Sequence, residues 1–459
     1  MTQPSGDGRA ALVEELLAAA TGDAVVALCH EDVINARWAN SSLTTNGRVL
    51  SEELIITAIA DVAGGRACAT RAGPVDRAMA LLREAESAAR ASTAIADAVP
   101  LPAGGSLPGF REGSVQLSPE TVMAPTEGLA RAFGDRSAEL FGYAEQSRTT
   151  TWVGTTAGPR WRSEDDTARF EVSAKADRRQ LSAWAGRSAR SLAEVEVVAG
   201  VSEAILALQQ QRRTEHVPAQ PMPVILTPSA VADLMVVLWW QATGREAAEG
   251  TNAFAGRGDA KTAVGTRLSG RRITLRSDPK DPELSAPGRL WTPWISSAAS
   301  VFDTGAEIMA VDWITDGVLT NLQSTRATSA EFDLPFRPSA DNLILTDADG
   351  NGDLWDLVAR TDRALLVTSL WYIRDVDPQS MLVTGLTRDG TYLVEGGEVV
   401  GACGNFRFND SPLCMLARIA DASSPVRCLP REQADYFTRT RMPALLIDDF
   451  GLSTPSEAI

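Results

Sequence analysis

Residues 364–420 decide the fold class: ALLVTSLWYIRDVDPQSMLVTGLTRDGTYLVEGGEVVGACGNFRFNDSPLCMLARIA. Four apolar runs lie in this stretch: Ala364 to Leu370, Met381 to Thr384, Thr391 to Val394 and Glu398 to Ala402. Turn chemistry separates them at Asp377-Pro378, Arg388-Asp389-Gly390 and Gly396-Gly397. Asp-Gly and Gly-Gly pairs reach the positive φ of tight hairpins at little steric cost. The pattern therefore predicts an antiparallel meander. Cys403 to Pro412 follows as a polar and aromatic loop. Ser411-Pro412 then reads as the cap and first residue of an apolar helix through Leu413, Leu416 and Ile419.

Upstream, Val224 to Leu226 is a short strand candidate, and Thr227-Pro228 is a good N-cap and N1 pair. The helix it opens runs to about Gln241. Val231, Leu234, Met235, Val237, Leu238, Trp239 and Trp240 leave it no polar face, so it should be buried, with Gly244 as its break. Residues 250–300 are irregular. Two or three strands are expected around Ala310 to Leu322, with a turn at Asp316-Gly317, and one more over Asn342 to Thr346.

Nearer the N-terminus, Leu12, Val13, Leu16 and Leu17 share one face of a helix over Arg9 to Ala20. Ala24 to Cys29, Leu54 to Val62 and Ala67 to Thr70 read as strands, with Asn46-Gly47 as a hairpin turn. Pro74 to Ser92 reads as a helix. Ala98 to Gly113 is a Pro/Gly-rich linker. Beyond it come a helix from Ser118 toward Tyr143 broken near Gly134, paired strands Thr149 to Thr156 and Thr167 to Lys175 around a loop at Arg160 to Asp166, and a helix over Ser191 to Arg213. The fold class is α+β. An N-terminal α+β domain is expected over 1–215, and a C-terminal domain built on antiparallel sheet over 216–459.

Composition narrows the function. The 459 residues carry 43 Lys and Arg against 59 Asp and Glu, a formal net charge of -16. That balance argues against non-specific nucleic-acid binding, which needs cations to displace counterions. No run of 18 apolar residues suggests a membrane span, and the first residues lack a basic start and apolar core, so the expected location is the cytoplasm. The five cysteines are odd in number and irregular in spacing, which favours reduced thiols.

Three segments carry a resemblance. Residues 369–412, SLWYIRDVDPQSMLVTGLTRDGTYLVEGGEVVGACGNFRFNDSP, resemble the C-terminal signature of the TldD/PmbA family, zinc-peptidase-related proteins once named modulators of DNA gyrase. ANSSLTTNG at 39–47 and DWITDGVL at 312–319 resemble it too. The family's catalytic subunits carry HExxxH at the end of the buried helix. The resemblance implies that those two His and a Cys from the C-terminal sheet hold zinc, while the Glu serves the water. Laid on that motif, this chain reads Trp240, Gln241, Ala242, Thr243, Gly244, Arg245. Trp240 replaces the first His, Gln241 the Glu and Arg245 the second His. Trp offers only an N–H donor, Gln takes no proton at neutral pH and Arg is a permanent cation. The chain therefore resembles the TldE/PmbA-type partner subunit, with no catalytic or metal-binding residue of its own. The resemblance implies a heterodimer with a TldD-type subunit, which holds the zinc and cuts linear or unfolded peptides. A stand-alone peptide-binding or regulatory homodimer, and a peptidase or peptide-maturing enzyme with an unrecognised site, are the rival readings.

Other constellations are weaker. Cys403 lies where a third ligand would come from: a vestigial ligand position, or a small apolar residue at a strand end. His30 and His216 stand alone. Asp347 to Asp353 imitates a calcium loop, but Val358 stands where the bidentate Glu belongs, so a polar strand-to-helix turn is favoured. Asn405, Phe406, Arg407 and Phe408 are the candidates for a peptide-binding surface, by strand addition at a sheet edge. The competing reading places both Phe side chains in the core.

Overall fold

The computed structural model describes residues 6–134 and 137–456. Alternation in DAVVALCHEDVINARWA lays down a 17-residue strand with buried and open residues in turn. In chain order the first half holds α1 (Gly6–Ala19), β1 (Asp23–Ala39), β2 (Ser42–Val62), β3 (Gly65–Gly73), α2 (Ala78–Ala91), α3 (Glu120–Ala132), β4 (Glu139–Thr155), β5 (Arg160–Ala176), β6 (Leu181–Ala189) and α4 (Val197–Gln210). The six strands form one antiparallel sheet in the order β3-β2-β1-β4-β5-β6. One cluster unites α1 and α2 with the sheet through Leu16, Leu28, Ile56, Leu82 and Trp152. Another unites α3 and α4 with it through Trp38, Leu140 and Phe170.

Three expectations are corrected in this half. The β1–β2 hairpin turns at Asn40 and Ser41, which take φ 52° and 54°, while Asn46 and Gly47 lie inside β2 opposite Ala36 and Asn35. The helix from Ser118 stops at Ala132, and residues from Glu139 onward begin β4. Arg160 to Asp166 is no loop: it pairs with Arg148 to Gly154, and the chain reverses at 156–159. In each case a long partner strand imposes pairing on residues that the local pattern assigns to a turn, a helix or a loop.

The second half adds β7 (Met222–Leu226), α5 (Pro228–Gln241), α6 (Gly244–Ala248), β8 (Ile273–Ser277), β9 (Val311–Thr315), β10 (Val318–Leu319), α7 (Arg326–Phe332), β11 (Leu343–Asp347), α8 (Leu354–Ala359), β12 (Arg363–Asp377), β13 (Leu382–Glu395), β14 (Glu398–Ala402), β15 (Asn405–Asp410), α9 (Pro412–Met415), β16 (Ile419–Ala422), β17 (Val426–Cys428), β18 (Thr440–Met442), β19 (Leu445–Phe450) and β20 (Leu452–Ser456). Two sheets result, β10-β9-β8-β11-β18-β17 and β16-β19-β7-β12-β13-β15-β20, with β14 paired to β13. Most pairs are antiparallel, and β7–β12 and β11–β18 are parallel. The fold is α+β. Among the described residues no helix is long and apolar enough to cross a membrane.

Within the stretch that decided the class, Gly396-Gly397 does turn the chain between β13 and β14. Arg388-Asp389-Gly390 does not. It lies inside β13, where Asp389 at φ 55° and Gly390 at φ 133° face a register shift on β12 between Val367 and Ser369. Positive φ here serves a bulge instead of a hairpin. Residues 405–410, expected as loop, are a strand, and the helix after Ser411 ends at Met415. Helix α5 lies in the core that the two sheets share, and Val231, Leu234, Met235, Leu238 and Trp239 are all buried. Each such side chain removed from water contributes about 1.5–3 kcal/mol.

Candidate functional site

The Thr227 hydroxyl accepts the Ala230 N–H at the start of α5 and donates to the Thr368 carbonyl, tying the helix to β12. At the other end Ala242 (ψ 60°) and Thr243 (ψ 135°) leave the helical region, and α6 begins at once. A helix end leaves carbonyls without partners. Here Gln323 donates its side-chain amide to the Trp239 carbonyl and its N–H to that of Ala242, while Asn252 donates to that of Gln241 at 3.0 Å. Gly244 donates to the Gln323 carbonyl at 2.7 Å, and a Cβ on Gly244 would sit 3.0 Å from Leu334. The six aligned residues are thus shared between two helices.

Their side chains do not converge. Trp239 is buried against Trp313 and Phe437, at centroid distances of 6.1 and 5.4 Å. Trp240, expected inside, is 39% exposed and meets the ring of Tyr436 edge-on at 6.4 Å. Gln241 donates to the Asp375 carboxylate at 2.8 Å. Arg245 pairs with Asp97 at 2.6 Å, Glu331 at 2.8 Å and Glu249 at 3.2 Å, and covers the Phe332 ring. Burial disfavours its charge, but these carboxylates outweigh burial and raise its pKa. Zinc does not fit this set: an indole N–H, an amide already used as a donor, and a guanidinium held charged by three acids. Among the described residues no group of three or more His, Cys, Asp or Glu is arranged to hold a metal ion.

Cys403 sits in the turn between β14 and β15, and its thiol donates to the Thr391 carbonyl at 3.5 Å. Burial pushes this thiol up to about 12, with Glu215 adding to the effect, so it stays protonated. Thr391 pairs with Val367, whereas Gln241 meets β12 at Asp375. Roughly 20–25 Å of strand separate those two levels, so Cys403 does not join the motif positions.

The proposed binding loop is corrected as well. Strand β15 pairs with β13 on one side and β20 on the other, so it has no free edge. Phe406 and Phe408 are fully buried, and Phe408 packs on Phe450 at 5.4 Å. Arg407 points outward and donates to Thr384, and the Asn405 amide oxygen lies 3.4–3.5 Å from the Thr391 and Thr387 hydroxyls. Asp347 and Asp349 are held by Arg271 and Arg272, and Asp353 caps α8. His30 is buried beside Arg9, and His216 is exposed.

Sequence reasoning missed residues 431–437. Asp233 is the one charged residue of α5 and is fully buried. Its carboxylate accepts the backbone N–H groups of Arg431, Glu432 and Gln433 at 2.9–3.2 Å and so fixes this segment along the helix. Burial raises its pKa well above the usual carboxylate range, against those three donors. A lone acid in an apolar helix was the available signal. Glu432 in turn accepts the Tyr372 N–H at 3.0 Å and pairs with Arg374 at 2.9 Å. Tyr372 takes φ 57°, and Arg374 stacks 4.1 Å over its ring.

No curated protein matches the chain. Among solved structures, the fold is similar to that of TldE from Thermococcus kodakarensis, at 17% identity and TM-score 0.77, covering 96% of this chain and 99% of that one. Proteins described as modulators of DNA gyrase are similar too. The one from Thermotoga maritima has 15% identity and TM-score 0.74, covering 96% and 99%. The one from Bacteroides thetaiotaomicron has 11% identity and TM-score 0.75, covering 96% and 97%. At these identities the likeness concerns the fold. The family model of the PmbA/TldA metallopeptidase C-terminal domain matches residues 219–454, more than half of the sequence, and the chain therefore belongs to the PmbA/TldD family.

Proposed function

We propose that this chain is the non-catalytic subunit of a two-chain zinc metalloprotease that cleaves or matures linear or unfolded peptides. In this reading a TldD-type partner holds the zinc, and the present chain completes the enclosure in which peptide is cut. The observation that carries it is Arg245. At the second His position stands a cation locked to Asp97, Glu249 and Glu331, so the position is committed to a structural ion-pair network. Trp240 and Gln241 supply neither a ligand nor a base. Family membership supports a peptidase context, and the loss of the donor set supports the partner role.

Reconstitution tests it. A family member with an intact HExxxH, this chain, and a mixture of both are each given a labelled unfolded polypeptide. The proposal expects a stable complex of the two chains, no cleavage by this chain alone, and cleavage by the mixture above that of the HExxxH chain alone. Cleavage by this chain alone that a zinc chelator abolishes contradicts it.

A further inference from the structure

We propose that the open edge of β5 at Arg162 to Asp166 is a binding site for an extended acidic peptide segment, held by strand addition. Strand β5 pairs with β4 from Arg160 to Lys175 without a register shift. Its other edge is shared between two segments. At one end the Arg160 N–H donates to the Gly105 carbonyl at 3.3 Å, and the Arg160 carbonyl accepts the Leu107 N–H at 2.7 Å, so both groups point away from β4. At the other end β6 takes the edge from Ala168 onward and stops at Ala189. Backbone direction alternates along a strand, so Arg162, Glu164 and Asp166 point the same way as Arg160 and Ala168. Among the described residues nothing bonds their N–H and carbonyl groups on that side. The sheet thus lacks a strand over roughly 13 Å, between two places where the chain supplies one itself.

The gap lies in a groove and not on a bare edge. The groove measures about 480 Å³, within the roughly 300–1,000 Å³ of ligand clefts. Leu107 and Pro108 line it beside Arg162 to Asp166, and residues 285–289 from the second half of the chain line it too. A smaller cleft of about 280 Å³ shares Asp166 and Arg190 with it, so the path continues past the end of β6. Walls of this kind admit a single strand and bar the broad pairing that open edges invite.

The charges of the groove set the sign of the occupant. Glu164 pairs with Arg162 at 2.5 Å, Asp166 with Arg148 at 2.6 Å, and Asp165 with Arg439. Arg190, Lys280 and Arg289 line the groove with no ion-pair partner among the described residues, and Glu307 is the one lining acid in the same position. Arg289 meets only a neutral group, the Gly305 carbonyl, at 2.6 Å. Three open cations against one open carboxylate make the groove positive, in a chain whose formal net charge is -16. An extended segment with acidic side chains answers both features. Its backbone fills the edge, and its carboxylates meet Arg190 and Lys280. Main-chain bonds then give affinity and charge gives preference. The inference rests on the peptide-handling role proposed above, and it adds where this chain holds the peptide, on residues other than 240–245.

The test uses the full chain alone and fluorescence anisotropy. Three fluorescein-labelled linear peptides are compared: alternating Thr and Glu, the same with Lys for Glu, and the Thr-Glu peptide with its backbone nitrogens methylated. The first should bind. The other two should bind at least about tenfold more weakly, the methylated one because it has lost the donors that a strand edge accepts. Glu164→Pro removes one outward N–H and spares the β4 ladder, as proline does on an edge, and should bind about tenfold more weakly than Glu164→Ala. Arg190→Glu and Lys280→Glu should each weaken the Thr-Glu peptide and reduce the salt dependence of its binding. If Glu164→Pro fails to fold, the methylated peptide and Arg190→Glu decide. No binding of the Thr-Glu peptide, equal binding of its methylated form, or an Arg190→Glu chain that binds as the parent does overturns the proposal. So does a parent chain that is dimeric by gel filtration and monomeric as Glu164→Pro, which gives the edge to a second copy. So does a Glu164→Pro chain that keeps the peptide and loses assembly with an HExxxH chain, which gives the edge to the partner subunit. Binding needs neither zinc nor partner, so a failure here is separate from a failure of reconstitution.

Discussion

The end of α5 and strand β15 each carry a pair of large aromatic residues, and the two pairs meet opposite fates. In α5, Trp239 is buried and its neighbour Trp240 is 39% exposed. In β15, Phe406 and Phe408 are both buried. The difference follows from periodicity. Adjacent residues on a helix point about 100° apart, so one ring enters the core and the next leaves it. Residues two apart on a strand point to the same face, so both rings enter together. Only the first arrangement leaves an aromatic side chain partly in water. The surface expected at 405–408 is closed by β13 and β20, whereas the Trp240 ring at the end of α5 faces partly outward.

The largest expected effects lie within each pair. Phe408→Ala removes a fully buried ring that packs on Phe450, and should cost about 3–5 kcal/mol. Trp239→Ala, which empties the contact with Trp313 and Phe437, should cost a similar amount, about 3–5 kcal/mol. Trp240→Ala should cost less than about 1 kcal/mol, since its ring is partly in water already. Urea unfolding of the three variants checks the order. A Trp240 variant as unstable as the Trp239 variant would break the comparison.

Arg245→Ala is intermediate. It strands Asp97, which is mostly buried, and frees Glu249 and Glu331 to solvent, for a cost of about 1–2 kcal/mol. Arg407→Ala on the outer face of β15 should stay within about 0.5 kcal/mol, and unfolding midpoints measured in parallel separate the two.

The smallest effect lies outside both regions. Burial first, then Arg9, lowers the pKa of His30 from the ordinary 6.5, while Glu52 and Asp32 oppose the shift. Below pH 6.5 the unfolded chain takes up a proton that the folded chain refuses, so stability falls as pH drops through that window and levels off below the folded pKa. His30→Gln, which keeps an acceptor for Arg9, should flatten this slope in urea midpoints compared at about pH 7.5 and 5.5. An unchanged slope assigns it to other groups.

Much of the fold was legible because burial and turn chemistry agreed. Thr227-Pro228 starts α5, and Gly396-Gly397 turns β13 into β14, as local rules require. The failures share one cause. Asn46-Gly47 and Asp389-Gly390 have turn chemistry, yet a long neighbouring strand recruits both, and the actual β1–β2 turn falls on Asn40-Ser41. For the site, the residue types at 240, 241 and 245 set the expectation that no zinc donor stands there, and the structure adds that their side chains point to separate partners. The contact of Tyr436 with Trp240 was hidden, because it depends on the tertiary path by which Asp233 fixes residues 431–433 along α5. An α5 apolar on every side also gives no hint which Trp faces out.

We propose that Trp240, Gln241 and Arg245 hold no zinc at the end of α5. Elemental analysis of the purified full chain, after equilibration with zinc and gel filtration, tests it most directly. The expected result is far less than one zinc per chain, unchanged when Trp240, Gln241 or Arg245 is replaced by Ala. One tightly held zinc per chain, lost on replacement of any of the three, would contradict it.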